Sequence, residues 1–580
     1  MIKKLSAYIG EYKRITVITP LLMVLEVLCE VFIPYLMSKI IDDGINKGDM
    51  GFVVRTGLFM ILMALLSLLF GAAGAVLACK ASAGFEKNLR RGLMSKVQKF
   101  SFANIDRFST ASLVTRMTTD VSNVQMAFQM MIRICFRAPI MLVSALIMAF
   151  FTNARLSFIF VGAIILLGGA LTLIIFNAFP RFKYVFEKYD GVNAGVQENL
   201  TGIRVVKAYV REEHETKKFH KASDFLYKFF VSAEKIVILN GPVMNLAMYG
   251  CMIGIFWFGA SLIVKSGGTD MSVGQLSTFM EYTMNILMNL MMISMIFVSL
   301  TLAKTSGERI VEVLDEQTDI TQKEDPVKEV RNGEIEFTNV DFSYSKNKNN
   351  LNLQNINVKI PSGSVVGVIG GTGSGKTSFV QLIPRLYDVT EGSVKVGGVD
   401  VRDYELKALR DKVSMVLQKN VLFYGTIAEN LRWGNENATE EQMRAACESA
   451  QIRDFVKSLP DGYDSHVEQG GTNFSGGQKQ RLCIARALLK EPKVLILDDS
   501  TSAVDTKTDA AIRKAFKEYI PDVTKIIIAQ RISSVADADM IIVLDEGGIN
   551  DVGTHEELLE RNKIYREVYD SQMKGADFDG

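Results

Sequence analysis

The stretch SVVGVIGGTGSGKTSFVQLI places a glycine-rich turn between a β-branched run and a helical pattern, and Gly370, Gly375, Lys376 and Thr377 fit the spacing G-x-x-x-x-G-K-[ST]. That spacing suits phosphate. Glycines let successive backbone N–H groups curl around phosphate oxygens, and a helix N-terminus adds partial positive charge. Gly370, Gly371, Thr372, Gly373, Ser374, Gly375, Lys376, Thr377 and Ser378 are therefore expected to cradle the phosphates of a nucleotide. Lys376 would reach the β- and γ-phosphates, and Thr377 would hold Mg²⁺. Further along, the apolar run VLIL ends in Asp498, the second expected magnesium ligand, and Asp499 follows directly.

These residues need a parallel sheet to bring them together. From Gly333 onward, short β-branched runs such as GEIEFTNVDFSY, SVVGVIG and KVLILD alternate with helical patterns, as in a soluble α/β domain over 333–580. The polar stretch at 321–332 reads as a linker. Residues 1–320 are of another kind, with six apolar stretches near 16–40, 54–78, 130–152, 157–179, 236–264 and 274–302, each long enough for the ~20 residues that cross a bilayer. The basic N-terminus precedes a run too long for a signal peptide, so it leads into the first membrane helix. Lys and Arg crowd into 80–127 and 181–235 and are sparse in the other connections, which places both termini and both long, helical loops in the cytoplasm.

Composition excludes several classes. With 65 Lys and Arg against 64 Asp and Glu, the formal charge is +1, and no basic field argues for nucleic acid. Cys29, Cys79, Cys135, Cys251, Cys447 and Cys483 form no CxxC pair and read as buried reduced thiols.

The segment NFSGGQKQRLCIARALL resembles the signature of ATP-binding-cassette (ABC) proteins, and the resemblance extends over essentially the whole chain, including FSTASLVTRMTTDV and ENLTGIRVVKAYVRE in the loops. It implies a half-transporter of the exporter type: a helical transmembrane domain fused to a P-loop ATP-binding-cassette domain, with ATP and Mg²⁺ as cofactors. Tyr344 looks like the aromatic residue that stacks on adenine. Gln418 resembles the glutamine that meets Mg²⁺ and senses the membrane domain, and Asp505 closes a loop that resembles the one crossing the dimer. Phe474, Ser475, Gly476, Gly477 and Gln478 resemble the signature loop. In the family that loop completes the ATP site of a second cassette; Ser475, Gly477 and Gln478 would thus act in trans. Coupling helices at the loop tips carry the motion to the membrane.

Two departures from the family pattern fall on one site. Asp499 stands where the family has the glutamate that polarises water, and Gln530 stands where it has histidine. One methylene fewer draws the carboxylate back by roughly 1.3 Å, a displacement that can cost about 100-fold in rate. Glutamine donates a hydrogen bond and carries no charge. The signature loop is intact. The chain therefore resembles the degenerate-site half of a bacterial heterodimeric multidrug exporter in the cell membrane, paired with a non-identical half-transporter that hydrolyses ATP against this chain's signature. A full-length arrangement is disfavoured, since the sequence carries one cassette. A homodimeric lipid flippase and a non-hydrolysing, ATP-gated regulatory subunit remain as alternatives.

For the cargo, Glu26, Glu30 and Glu281 lie inside apolar spans, where carboxylates are costly. Glu26 and Glu30 share a helix face. Counted at 1.5 Å per residue, Glu30 and Glu281 sit roughly 10–14 Å below the outer surface. An acidic ring there would favour lipophilic cations; structural pairing with polar neighbours is the competing reading. Met284, Met288, Met291, Met292 and Met295 offer an adaptable surface or ordinary packing.

Overall fold

The computed structural model describes residues 1–499 and 506–576. It divides into two compact units, Met1–Gln98 with Thr110–Glu316, and Lys99–Ser109 with Gln317–Gly580.

The first unit is helical. Its long helices are Lys13–Lys39, Met50–Val97, Val121–Thr152, Ala154–Thr201, Glu212–Val237, Asn240–Ser266 and Val273–Asp315. Local chemistry sets their ends. Asp49 accepts from Phe52 N at 2.9 Å, Asn153 accepts from Leu156 N at 3.3 Å, Ser272 and Gln275 form a capping box, and Gly267 ends its helix at φ +63°. The 48 residues of Met50–Val97 reach about 70 Å, more than twice the ~30 Å apolar thickness of a bilayer. Leu58, Ile61, Leu62, Leu65, Leu68 and Leu69 on that helix are exposed, an apolar surface that suits lipid. Among the described residues, five helical stretches are long and apolar enough to cross a membrane: Ile2–Ile45, Met50–Val97, Thr110–Thr152, Ala154–Ala178 and Glu212–Ser266. The sixth expected span falls on Val273–Asp315, where some side chains lie outside the described residues.

The first and last of these helices are sewn together by polar side chains. Thr278 donates to Pro34 O at 2.8 Å, Tyr282 to Val31 O at 3.2 Å, and Asp42 accepts from Gly274 N at 3.0 Å and from the Ser272 hydroxyl. The cysteines are all free, but only Cys251, Cys447 and Cys483 are buried. Cys79 is exposed and Cys29 and Cys135 are half-buried, because an apolar stretch in a membrane helix has a lipid-facing side as well as a packed one.

The acidic ring is corrected by the structure. Arg137, inside the third span, reaches Glu26 at 3.3 Å and Glu30 at 2.7 Å. A Cβ at Gly71 would lie 2.9 Å from Glu26 Oε1, so the carboxylate would have to shift to admit it. Glu281 is exposed and has no ion pair among the described residues. Sequence reading counted the acids in the spans and left out the cation that pairs with two of them. Arg137→Met should therefore destabilise the membrane unit by about 3–5 kcal/mol, since it strands two carboxylates. Adding Glu26→Gln and Glu30→Gln should recover most of that loss. Thermal melts in detergent compare the two, and equal melting of the single and triple variants would show that the triad is not the cause.

The second unit is α/β. A four-stranded antiparallel sheet pairs Leu353–Ile360, Ile335–Phe342, Glu391–Val396 and Val399–Asp400 in that order. A six-stranded sheet runs Gly548–Gly553, Met540–Asp545, Val365–Gly370, Thr524–Ile528, Val494–Asp498, Val413–Val416, parallel except for its first pair. All five residues of Val494–Asp498 are buried, as expected of a strand covered on both faces. The stretch expected as a linker is held down: Val327 N donates to Asp403 O at 2.8 Å, Glu405 N donates to Val327 O at 2.9 Å, and Val330 is buried. Its polar composition hid these backbone bonds.

Candidate nucleotide site

In a parallel sheet, side chains and loops that bind ligands gather at the carboxyl ends of the strands. Val365–Gly370, Thr524–Ile528 and Val494–Asp498 are adjacent, with Ile528 in register with both Val368 and Asp498. Their ends therefore deliver the glycine-rich loop, Gln530 and the Asp498–Asp499 pair to one place.

The loop needs its glycines. Gly373 and Gly375 have φ of +84° and +92°, a region open to glycine. A Cβ at Gly370 would meet Leu544 O at 2.2 Å. Gly371, Thr372 and Gly373 are exposed, while Ser374 and Ser378 are buried. Lys376 opens the helix Lys376–Gln381, and its Nζ donates to the carbonyls of Gly370 at 2.8 Å and Gly371 at 2.7 Å. Burial lowers its pKa, against the pull of Asp499 and Asp498.

Asp498 is 2% exposed and accepts from Thr377 Oγ1 at 3.2 Å. Burial raises its pKa; Asp499 pushes the same way, and Thr377 and Lys376 oppose. A buried carboxylate beside a hydroxyl is a pair of hard oxygen donors, the set Mg²⁺ takes when phosphate oxygens and waters fill the other positions. The residues fit the ion. Gln418, expected to join them, is exposed, and its side chain hydrogen bonds to Asp499.

Asp499 is the most constrained of the group. It sits at φ +50°, a left-handed conformation that Asp tolerates better than most side chains. Gln530 Nε2 donates to its Oδ2 at 2.7 Å. Burial raises its pKa; Gln530, Gln418 and Lys376 hold it down. The structure thus brings together Lys376, Thr377, Asp498, Asp499, Gln418 and Gln530.

Ser475, Gly477 and Gln478 stand apart in role. Ser475 is the exposed N-cap of helix Gly476–Leu488. Its Oγ accepts from Gln478 N at 3.3 Å, while Gln478 Oε1 accepts from Ser475 N at 2.8 Å. Phe474 is buried and anchors the turn against Phe455. Asp505 lies outside the described residues.

Tyr344 stands beside the phosphate loop. Its hydroxyl lies 2.8 Å from Ser378 Oγ and donates to Gln381 Oε1 at 3.2 Å, and the residue remains 42% exposed, which leaves surface for a base to stack on. Tyr344→Ala should weaken nucleotide binding at this chain's site by about 1–3 kcal/mol and lower turnover less than occupancy. Full occupancy with collapsed turnover, measured with a fluorescent ATP analogue, would show a different role.

Sequence reading missed three contributors. Gln480 is buried and donates to Asp499 O at 3.4 Å. Gln572 accepts from Ile532 N and donates to Gln530 O, both at 2.8 Å, tying the Gln530 turn to the last helix. Tyr387 packs on Tyr344 at 5.0 Å. The Gln572 and Tyr387 contacts, 42 and 43 positions from their partners, leave no local signal.

Known proteins bear on this geometry. Residues 16–291 match the family described as ABC transporter transmembrane region, and residues 353–502 the family described as ABC transporter. The chain is 37% identical to an uncharacterized ABC transporter ATP-binding protein, YfiB of Bacillus subtilis, over 98% of each chain. It is 31% identical to a probable multidrug resistance ABC transporter ATP-binding/permease protein, YheI of the same species, over 99% of this chain and 98% of that one. An ATP-dependent lipid A-core flippase of Desulfotalea psychrophila is 29% identical over 93% of each. A bacterial Atm1-family ABC exporter solved with ATP bound shares the fold at TM-score 0.81 and 24% identity, covering 96% of this chain and 98% of that one. With its membrane helices joined in one chain to a phosphate loop, a buried Asp498 and an exposed signature turn, the protein belongs to the ABC transporter family, with transmembrane and ATP-binding domains fused in one chain.

Proposed function

We propose that the chain exports hydrophobic or amphiphilic small molecules, as one half of a heterodimer in the bacterial cell membrane, with a nucleotide site of its own that hydrolyses poorly. The observation that carries this reading is the Asp499 carboxylate, short by one methylene and engaged at 2.7 Å by the uncharged Gln530. Lys376 would pair with phosphate oxygens, and Thr377, Asp498 and Gln418 would hold Mg²⁺, which neutralises charge on the transferring phosphoryl group. Ser475, Gly477 and Gln478 face outward from a helix N-terminus and would complete the site of a non-identical half-transporter, which supplies glutamate and histidine. The charge asymmetry of the loops supports a cytoplasmic placement for both termini. The multidrug name of one relative supports the substrate class.

The flippase name of another relative favours a second reading, a homodimer that moves lipid. One experiment separates them. The chain expressed alone in lipid should turn over ATP slowly, and co-expression with a half-transporter carrying Glu and His at the two positions should restore turnover and yield a mixed dimer by mass. Full turnover by a dimer of this chain alone would overturn the heterodimer reading and favour the homodimer.

A further inference from the structure

The helix Val273–Asp315 has two unlike faces along its expected span. Tyr282, Ile286 and Leu287 are fully buried and pack it into the helical unit. On the other side Glu281, Met284, Met288, Met292 and Met295 are exposed. Their spacing of three and four residues puts them on one stripe. Among the described residues of 274–302, every large apolar side chain that is exposed is a methionine. The exposed face of Met50–Val97 is built otherwise: between 58 and 69 its exposed large apolar side chains are leucines, an isoleucine and Phe59. Thioethers are therefore a property of this one face and not of membrane exposure in general.

Glu281 says what the face meets. It lies on the same stripe and has no ion pair among the described residues. A carboxylate turned toward acyl chains is costly, so the stripe looks onto an interior, and its charge favours a cation there. The thioethers decide which cation. They are soft ligands that select copper(I) over hard ions. Met284, Met288 and Met292 follow one another at four-residue steps, and the Cβ atoms of such neighbours stand about 5–6 Å apart. Three rotatable bonds let each sulfur be aimed. Twice a metal–sulfur bond of roughly 2.3 Å, the zinc–thiolate length, nearly spans that gap. Met288 can therefore share one ion with Met284 or with Met292.

We propose that the row Met284, Met288 and Met292 binds a soft monovalent metal ion, copper(I) or silver(I), held between neighbouring thioethers with Glu281 balancing its charge. Thioethers carry no proton to lose, so the ion enters without the deprotonation that a thiolate site requires. Sodium and magnesium gain little from sulfur and are left in water. The site goes beyond the organic substrates proposed above. It uses none of the nucleotide residues and rests on neither reading of the dimer.

The test reads the sulfurs directly. The full-length protein, isotope-labelled at its methionine methyls and held in phospholipid nanodiscs, is titrated with silver nitrate in chloride-free buffer and followed by methyl NMR. Met284→Leu, Met288→Leu and Met292→Leu keep the apolar bulk and assign one methyl signal each. Cysteine thiols also take silver(I), and the methyl signals report thioethers alone. The Met288 signal and that of a neighbour in the row should move with silver(I) and stay in place with sodium or magnesium. Met288→Leu should weaken the binding read at its neighbours by at least ~10-fold, the least that losing even an outer-shell partner costs a metal site. Glu281→Gln should weaken it about tenfold, the effect of a unit charge ~10 Å away at an effective dielectric of ~20, and leave the same signals moving. Tetraphenylphosphonium, a lipophilic cation with no affinity for sulfur, separates charge from ligation. Signals of the row unmoved by silver(I) overturn the proposal. So do equal shifts with tetraphenylphosphonium, which would make the face a site for charge alone, and so does an affinity unchanged in Met288→Leu. The readout is binding, so failure of the proposed export of organic molecules leaves this result untouched, and the reverse holds as well.

Discussion

Ser475→Ala in this chain should lower steady-state ATP hydrolysis by the assembled transporter about 100- to 1,000-fold, the cost of losing one donor to developing charge at an organised site. Asp499→Asn should lower it only modestly. The contrast comes from where each group points its chemistry. Ser475 Oγ accepts from Gln478 N, so its own proton is free to be donated outward, beside the positive end of a 13-residue helix. Within its own domain that hydroxyl serves capping alone, as an acceptor. Loss of the cap costs about 1 kcal/mol of stability, and Ser475→Thr, which keeps both hydroxyl and cap, separates the two effects by restoring turnover. Asp499→Asn keeps the left-handed backbone preference and an oxygen for Gln530, and removes the charge and one acceptor oxygen from a side chain that, on the proposed reading, is already short of its task. Hydrolysis by purified complex in lipid at saturating Mg-ATP is the measurement. Abolition by Asp499→Asn with Ser475→Ala spared would mean that this chain hydrolyses its own ATP.

How much of this was legible in the sequence depended on distance along the chain. The phosphate loop is a local device, and nine consecutive residues declare it. Asp498 was legible because a wholly buried strand ends there, and strand ends in a parallel sheet are where ligands sit. Membrane helices were legible as apolar stretches, and their continuation into the charged loops was legible in the scarcity of Gly and Pro there. Met50–Val97 runs on through charged sequence that contains no proline, and Ala154–Thr201 continues past Pro180. Contacts that join distant positions were out of reach. Arg137 meets Glu26 and Glu30 from 111 and 107 residues away, and Tyr387 meets Asp106 from 281. An arginine in an apolar span is as conspicuous as a glutamate, and weighing both signs of charge together would have pointed to the pair.

Rebuilding the expected catalytic pair should restore what the two departures remove. On the heterodimer reading Ser475→Ala silences the other site, so residual hydrolysis reports on this chain's own nucleotide. There, Asp499→Glu with Gln530→His should raise the residual rate about 100-fold, the factor assigned to a carboxylate displaced by roughly an ångström. Each single change should fall well short. Glutamate at 499 alone gains reach but pays for a left-handed backbone, φ +50°, that suits Asp better, at a cost of about 1–2 kcal/mol. It also keeps an uncharged amide as its neighbour. Histidine at 530 alone would face a carboxylate that still stops short of the water. Together, an imidazole beside a longer carboxylate can carry the positive charge that Gln530 lacks and hold the glutamate in place, so the double variant should exceed the product of the singles. Single-turnover hydrolysis of radiolabelled ATP by the three variants and their parent measures the effect. An unchanged rate in the double variant would mean that Asp499 and Gln530 do not limit hydrolysis at this site, and the degenerate-site reading would fail.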